Sequence, residues 1–397
     1  MCARKNIVEE ILEKIARAAQ QNQRGVILQP GAIGDCILTL PLAEFMKETV
    51  CRGGVDLIGR TEYIGILPRR SCVDAVSSMD SMGLHRLFAK EEAFEVADGD
   101  PLIMAFAEYA WIATFLGEPD SNFEKNLIFT VNCSHSAEVM TLAMKPAAGN
   151  NHISDFYRSQ FIEQSGFDEL ATSGLSAAEY PSTAFRTPVH DLQGQAGKTA
   201  VGMPLLKPTA ADMTRGKEIL AEFAPAASLL PASASLDASR GGRRSKTAGA
   251  TRKPVVIHPG SGGTHKCWHL DNFLSVAGML AREDVEVVFL LGPAELERFA
   301  GTAISSIEAA GKLLTNLPLA DVLAVLGCAR GYVGNDSGIT HLAAALGIRT
   351  VAVFGPTDPV VYGPVGPAVT ILHSDTPDFA GTVSEDLQQQ ICEILLA

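Results

Sequence analysis

Asp336, Ser337, Gly338 and His341 fall inside the stretch VGNDSGITHLAAALG, residues 333–347. A carboxylate, a hydroxyl, a position without Cβ and an imidazole set this close can cradle an anion, move a proton, or simply cap a helix. Asp336 and Ser337 are good N-caps and Gly338 permits close approach, so capping accounts for those three. It does not account for His341, one helical turn further along the face reached from Ser337. A core histidine is the ordinary alternative at such a position. Next comes FGPTDPVVYGPVG, residues 354–366, which puts Gly355, Thr357 and Asp358 at the end of the following strand. Loops on adjacent strand ends converge on one crevice.

Three other stretches carry residues of the same kind. In Gly31-Ala32-Ile33-Gly34-Asp35, two glycines let the backbone turn sharply and approach a ligand, and the helix behind them offers free N–H groups. Asp35 then sits where strand meets helix, either as a reactive carboxylate or as a plain cap. The pattern is neither G-x-G-x-x-G nor a P-loop, which weakens nicotinamide and Walker-type readings. In HPGSGGTHKCWHLDNF, residues 258–273, Gly260, Gly262 and Gly263 follow a strand. Ser261 and Thr264 add hydroxyls and Lys266 an ammonium, which together suit a phosphate group. His258, His265 and His269 have no familiar metal-ligand spacing and no Cys or carboxylate to complete a set, so no metal is expected. In LLGPAELER, residues 290–298, Glu295 and Glu297 open a helix. Acidic residues favour a helix start, and a carboxylate at a strand end also suits a ribose hydroxyl. Both readings, and both glutamates, stay open.

These stretches recur where hydrophobic periodicity changes, which says what holds them. Val26–Leu28 reads as a buried strand. Residues 35–47 read as a helix with an irregularity at Pro41, and 55–59 and 72–80 as further strands. The second half repeats the order: strand and Pro-Gly turn at 254–260, helix at 270–282, strand, helix at 294–311, a short strand, then helix, strand, helix and strand to residue 354. Strands alternating with helices make a parallel α/β sheet. Each half opening on strand, Pro-Gly turn and helix resembles two Rossmann-like domains facing each other. Their expected limits are 1–185 and 254–397, with 186–253 connecting them and the terminal helix free to pack back on the first. Within the connector, residues 225–253 are rich in Ala, Ser, Gly and Arg without sustained period and read as a flexible insertion. Residues 7–19 carry Ile7, Val8, Ile11, Leu12 and Ile15 at helical spacing; their mixed charges favour docking on the protein over a membrane surface.

The 397 residues allow about two domains, and 47% hydrophobic with 19% charged residues suits a soluble globular chain. A net charge of −13 without a basic stripe argues against nucleic acid as a partner. The eight scattered cysteines contain no CxxC pair, which fits free thiols in a reduced, cytoplasmic setting. A charged start without an apolar run reads as lacking a signal peptide. No apolar run reaches the ~18 residues that span a bilayer.

Taken in order, PGAIGDCILTLPL, HPGSGGTHKCWHLDNF, LLGPAELE, NDSGITHLAAALG and VFGPTDPVVYGPVG resemble the glycosyltransferase family 9 heptosyltransferases, which build the inner core of lipopolysaccharide. HISDFYRSQFIEQSGF, residues 152–167, is similar to the family's stretch before the hinge. The resemblance covers most of the chain outside 225–253 and parts of 85–190. It implies a GT-B architecture, with the acceptor mostly on the N-terminal domain and ADP-heptose mostly on the C-terminal one. It implies inverting transfer to a glycolipid or oligosaccharide acceptor with neither cofactor nor metal. A lipid-linked acceptor leaves peripheral contact with the inner membrane as an option. By the resemblance Asp35 corresponds to the general base, on a loop shaped by Gly31 and Gly34, and Lys266 to the lysine at the donor phosphates. Ser261, Gly262 and Thr264 share Lys266's loop. Glu295 or Glu297 corresponds to the ribose ligand and Asp336 to a residue contacting the sugar. Ser337, Gly338 and His341 correspond to positions around the diphosphate. A helix N-terminus lowers a carboxylate's pKa, so burial has to offset it if Asp35 is a base. Gln29 and Pro30 stand where many members have an arginine, and Arg52, Arg60, Arg69, Arg70 and Arg86 are left to form any acceptor-side basic patch. A nucleotide-sugar hydrolase or epimerase, and a non-catalytic nucleotide-sugar-binding protein, share these features. A Rossmann dehydrogenase is more distant, for want of its glycine fingerprint.

Overall fold

The computed structural model describes residues 23–146, 151–166, 189–191, 203–222, 253–373, 379 and 385–397. The helix expected over 7–19 and nearly all of the insertion 225–253 lie outside them.

Two parallel sheets make the framework. The first runs through β1 (Arg24–Gln29), β2 (Gly54–Gly59), β3 (Val76–Ser78), β4 (Tyr109–Thr114) and β5 (Glu138–Thr141), in the spatial order β3-β2-β1-β4-β5. The second contains β6 (Val189–Asp191), β7 (Val255–His258), β8 (Val287–Leu291), β9 (Lys312–Thr315), β10 (Gly331–Asn335), β11 (Arg349–Phe354) and β12 (Val369–His373), in the order β6-β12-β11-β10-β7-β8-β9. Val26, Ile27 and Leu28 of β1 and Val255, Val256 and Ile257 of β7 are fully buried, as strands covered on both faces must be. The chain reverses its winding between β1 and β4 in one sheet and between β7 and β10 in the other. Ligands bind at such switch points, beyond the strands' carboxyl ends. Residues 30–35 follow β1, 259–266 follow β7, and 336–338 follow β10.

Local chemistry explains where the sequence reading and the structure differ. The helix expected over 35–47 is two helices, Ile33–Leu38 and Leu40–Thr49, with Pro41 in the first turn of the second. A proline has no N–H to give to the preceding turn, so it starts a helix instead of continuing one. The helix expected over 294–311 also divides, into Pro293–Arg298 and Gly301–Ala310. The strand expected over 72–80 shrinks to β3, because Asp74 turns back to accept the Val55 amide at 2.9 Å and is held by Lys47 at 2.7 Å. β6 falls within the expected connector yet pairs parallel with β12. The terminal helix Glu385–Leu396 docks on the second sheet's flank rather than on the first domain. Its Leu387, Ile391 and Leu395 join Phe273, Val276 and Leu280 of the helix Leu270–Arg282 in one core. Gln388 donates to Asn272 at 2.8 Å and accepts from Ser275 at 2.6 Å. Each described cysteine is a free thiol, with Cys133 exposed, and no described helix is long and apolar enough to cross a membrane.

Residues 203–222 tie the two sheets together. The Leu206 amide donates to the Ala345 carbonyl and the Lys207 amide to the Arg70 carbonyl, at 2.9 and 2.8 Å. The helix Ala210–Glu222 lies so tightly on the helix Leu319–Gly327 that a Cβ at Gly216 would stand 2.1 Å from the Ala324 carbonyl oxygen. Lys312, which opens β9, donates to the Leu220 carbonyl, so this helix ends beside the amino ends of the strands. At its start, Arg70 grips Asp212 with two bonds of 2.7 and 2.6 Å. Arg70 holds the Asp212 carboxyl down to about 2.

The grip is geometric, since a planar guanidinium meets both carboxylate oxygens and an ammonium cannot. Asp212→Ala should therefore cost about 2 kcal/mol of unfolding free energy in urea titrations, with Arg70→Lys recovering only part of the wild-type value. The pair's contribution should be complete above pH 3.8 and vanish as pH falls through about 2. A loss within error for Asp212→Ala would remove this pair from the account of how the halves are joined.

Candidate active site

The helix Ile33–Leu38 is short, and the turn ahead of it is held from below. Gln29, fully buried, accepts the Gly31 amide on Oε1 at 2.9 Å and donates from Nε2 to the Thr39 hydroxyl at 2.8 Å. Thr39 passes the contact on to the Asp35 carbonyl at 2.8 Å. Gln29 thereby brackets both ends of the helix. The Asp35 carboxylate accepts the Ala32 amide on Oδ2 at 3.0 Å, so it does cap. Gly31 is needed there, because a Cβ would stand 2.6 Å from that same oxygen. Burial raises the Asp35 pKa, outweighing the Ala32 hydrogen bond and the positive charges of Lys145 and Lys266, while Asp336 adds to the rise. The tension between helix terminus and base is thus decided by desolvation.

Across the cleft, Lys266 Nζ meets Asp336 Oδ2 at 2.7 Å. Ser261 donates to the Asp336 carbonyl at 2.6 Å. Asn335, fully buried, fixes the loops on either side: its Oδ1 accepts the Trp268 amide at 2.9 Å and its Nδ2 donates to the Pro259 carbonyl at 3.0 Å. Ser337 caps the helix Gly338–Ala345 through the Thr340 amide at 3.3 Å. His341 Nε2 lies 3.9 Å from Asp336 Oδ1, and among the described residues its buried Nδ1 has no hydrogen-bond partner. Burial pushes the His341 ring down to about 4 against the pull of Asp336, with His152 and Lys266 lowering it further. It is neutral at pH 7.

Next to this cluster is a cavity of ≈ 290 Å³. Leu290, Leu314, Leu317, Leu319, Val322 and Ile339 make its apolar wall, with Ser261, Gly262, Glu295, Ser337 and Gly338 as its polar margin. Glu295 is buried and accepts the Gly292 amide at 2.9 Å, whereas Glu297 is exposed. Glu295 is therefore the glutamate that reaches the cavity. Gly260 leaves room for it, since a Cβ there would stand 2.0 Å from its Oε1. Such a wall suits the flat face of a nucleobase, and such a margin suits a sugar and an anion.

The structure therefore brings Ser261, Gly262, Glu295, Ser337 and Gly338 to one cavity, with Lys266, Asp336 and His341 clustered beside it. Asp35, Gly31 and Gly34 face them from the other domain. Thr264 is exposed and does not line the cavity. The three histidines noted for metal are separate in role. His258 is buried and donates to the Leu290 carbonyl at 2.9 Å, His265 is exposed, and His269 caps the helix Leu270–Arg282. Among the described residues no cluster of three or more His, Cys, Asp or Glu could hold a metal. Asp358 caps the helix Pro359–Tyr362. Gln29 was noted in the sequence only as the absence of an arginine. Lys145, which bears on Asp35, and His152, whose Nε2 donates to the Gly363 carbonyl across the domains at 2.8 Å, gave no local signal.

With this geometry the chain is similar to proteins of known kind. Residues 217–391 match the model of Glycosyltransferase family 9 (heptosyltransferase). The chain is 44% identical over 84 residues to lipopolysaccharide heptosyltransferase 1 of Pseudomonas aeruginosa, a stretch that is 21% of this chain and 23% of that one. It is 32% identical over 102 residues to lipopolysaccharide heptosyltransferase 1 of Escherichia coli K12, 25% of this chain and 31% of the relative. The aligned stretches thus span less than a third or so of those relatives. The whole fold is shared more widely. A glycosyl transferase family 9 structure from Veillonella parvula superposes with a TM-score of 0.58 at 14% identity, covering 94% of this chain and 97% of that one. An E. coli heptosyltransferase solved with ADP gives 0.54 at 18%, covering 94% and 100%.

The neutral, buried His341 generates a pH prediction. Between pH 6.5 and about 4 the unfolded ring binds a proton that the folded ring refuses. Stability from this group is whole above 6.5 and declines toward 4. The melting temperature should fall over that window, and His341→Gln should flatten the fall; an unchanged slope would show that the ring charges in place.

Proposed function

We propose that this chain, whose residues 217–391 match the model of Glycosyltransferase family 9 (heptosyltransferase), transfers a heptose from ADP-heptose to a lipopolysaccharide-core or related glycan acceptor, with inversion. The reading rests above all on one observation: a half-buried carboxylate from one domain, Asp35, faces the Lys266–Asp336 pair of the other beside a half-apolar cavity.

In this reading the adenine lies against Leu290, Leu314 and Val322, and Glu295 receives the ribose hydroxyls. The diphosphate lies between Lys266 and the amides at the start of the helix Gly338–Ala345, whose dipole favours an anion. Asp336 meets the sugar. An acceptor hydroxyl approaches the anomeric carbon from the side of Asp35. As its oxygen bonds to that carbon, its proton passes to the Asp35 carboxylate and the bond to the ADP oxygen breaks on the opposite face. The charge left on ADP is met by Lys266 and the helix amides, and one such preorganised donor is worth ~3 kcal/mol. A raised Asp35 pKa makes it the better base. The reaction in this reading takes nothing beyond donor and acceptor. A lipid-linked acceptor would bring the chain to the cytoplasmic face of the inner membrane, as a peripheral contact.

Asp35→Asn should keep ADP binding, read by titration calorimetry, within about threefold, and lower heptose transfer to heptose-free lipopolysaccharide core by about 10³-fold. Normal turnover by that variant would remove Asp35 as the base. Rapid donor breakdown by the wild type without acceptor would favour a hydrolase or epimerase instead, and failure of the wild type to bind ADP would sink the donor assignment.

A further inference from the structure

Ile33 belongs to the first domain, yet it lines the cavity of the second. It reaches there through a fit with no slack. A Cβ at Gly338 would stand 1.9 Å from Ile33 Cγ2 and 3.3 Å from its Cβ. One residue on, the fit is reversed: a Cβ at Gly34 would stand 3.2 Å from His341 Cδ2. Each of the two short helices thus pushes a side chain into a glycine of the other. Ile33 fills Gly338, and His341 fills Gly34. Ile33 is branched at Cβ, so within a helix its χ1 has one strongly preferred rotamer and it transmits displacement rather than absorbing it. It is the first residue of the helix whose third residue is Asp35. A shift of Ile33 is therefore a shift of Asp35.

We infer that Ile33 is a positioning residue that couples occupancy of the donor cavity to placement of the Asp35 carboxylate. A molecule in the cavity presses on the side chain that seats the helix, so a filled site and an aligned base come together. The inference rests on the transfer reading for its catalytic consequence, while the contact itself stands on the geometry at Gly338. Ile33 makes no bond with the reacting atoms, and its effect is exerted through the Gly34–Asp35 backbone.

The test is a double-substitution cycle at Ile33 and Gly338, read as ADP affinity by calorimetry and as transfer from ADP-heptose to heptose-free lipopolysaccharide core. Ile33→Ala should lower kcat by about tenfold while moving the donor KM by no more than about threefold, because misalignment penalises the transition state more than binding. Ile33→Val, which keeps the branch at Cβ, should recover most of kcat. Gly338→Ala should weaken ADP binding by about tenfold or more with Ile33 present, and by no more than about threefold once Ile33 is Ala, since the colliding methyl is then gone. Equal effects of Gly338→Ala in both backgrounds would overturn the contact. Matching losses in KM alone, or no rescue by Val, would overturn the coupling. If the wild type transfers nothing, the transfer reading fails and with it the coupling to the base, whereas the cycle in ADP affinity still decides the contact. Melting temperatures of all five proteins separate these outcomes from simple loss of fold.

Discussion

A parallel strand can be rejoined only by a crossover, so all the carboxyl ends of a parallel sheet lie on one edge. Everything reactive in this protein depends on that constraint being applied twice. Each sheet reverses its winding, one beside β1 and the other beside β7, and the loops after β1, β7 and β10 open there. Facing the two edges toward each other puts Asp35 against Lys266 and Asp336 without any one segment carrying the whole site. The residues that hold the edges in register are modest: a connector helix on Leu319–Gly327, a guanidinium on Asp212, and a histidine on the Gly363 carbonyl.

Charge is distributed in the cleft by how each group is supported. Asp336 is buried and would be costly alone, and Lys266, itself a third exposed, neutralises it at 2.7 Å. His341, deeper still, lies 3.9 Å from the same carboxylate, and burial holds its ring toward the neutral form. Asp35 forms no salt bridge among the described residues, and desolvation raises its proton affinity. Burial thus favours the uncharged form of both Asp35 and His341, raising the one and lowering the other.

The loops were legible in the sequence because glycine, proline and hydroxyl residues punctuate strand ends. Gly31–Asp35, Ser261–Lys266 and Asp336–His341 stand where periodicity put them, and alternating strands and helices announced parallel sheets. What stayed hidden depends on distant partners. Glu295 and Glu297 could not be separated, since only the fold buries one and exposes the other. Ile33 reads as one more apolar residue until Gly338 is placed against it, and Gln29 as a lost arginine until Thr39 lies beneath it. His152 is separated from its acceptor by more than half the chain. The broken helices at Pro41 and near Phe299 were local events, the first visible as an irregularity and the second masked by a continuing apolar pattern.

The helix Ala210–Glu222 ends near the amino end of β9, and β7 begins close after Lys253. Both exits of the Ala- and Ser-rich stretch between them thus open on the edge opposite the chemistry. A change in the number of residues joined between those two ends therefore enters the fold at the amino edge of the second sheet, away from the strand ends that carry Lys266 and Asp336.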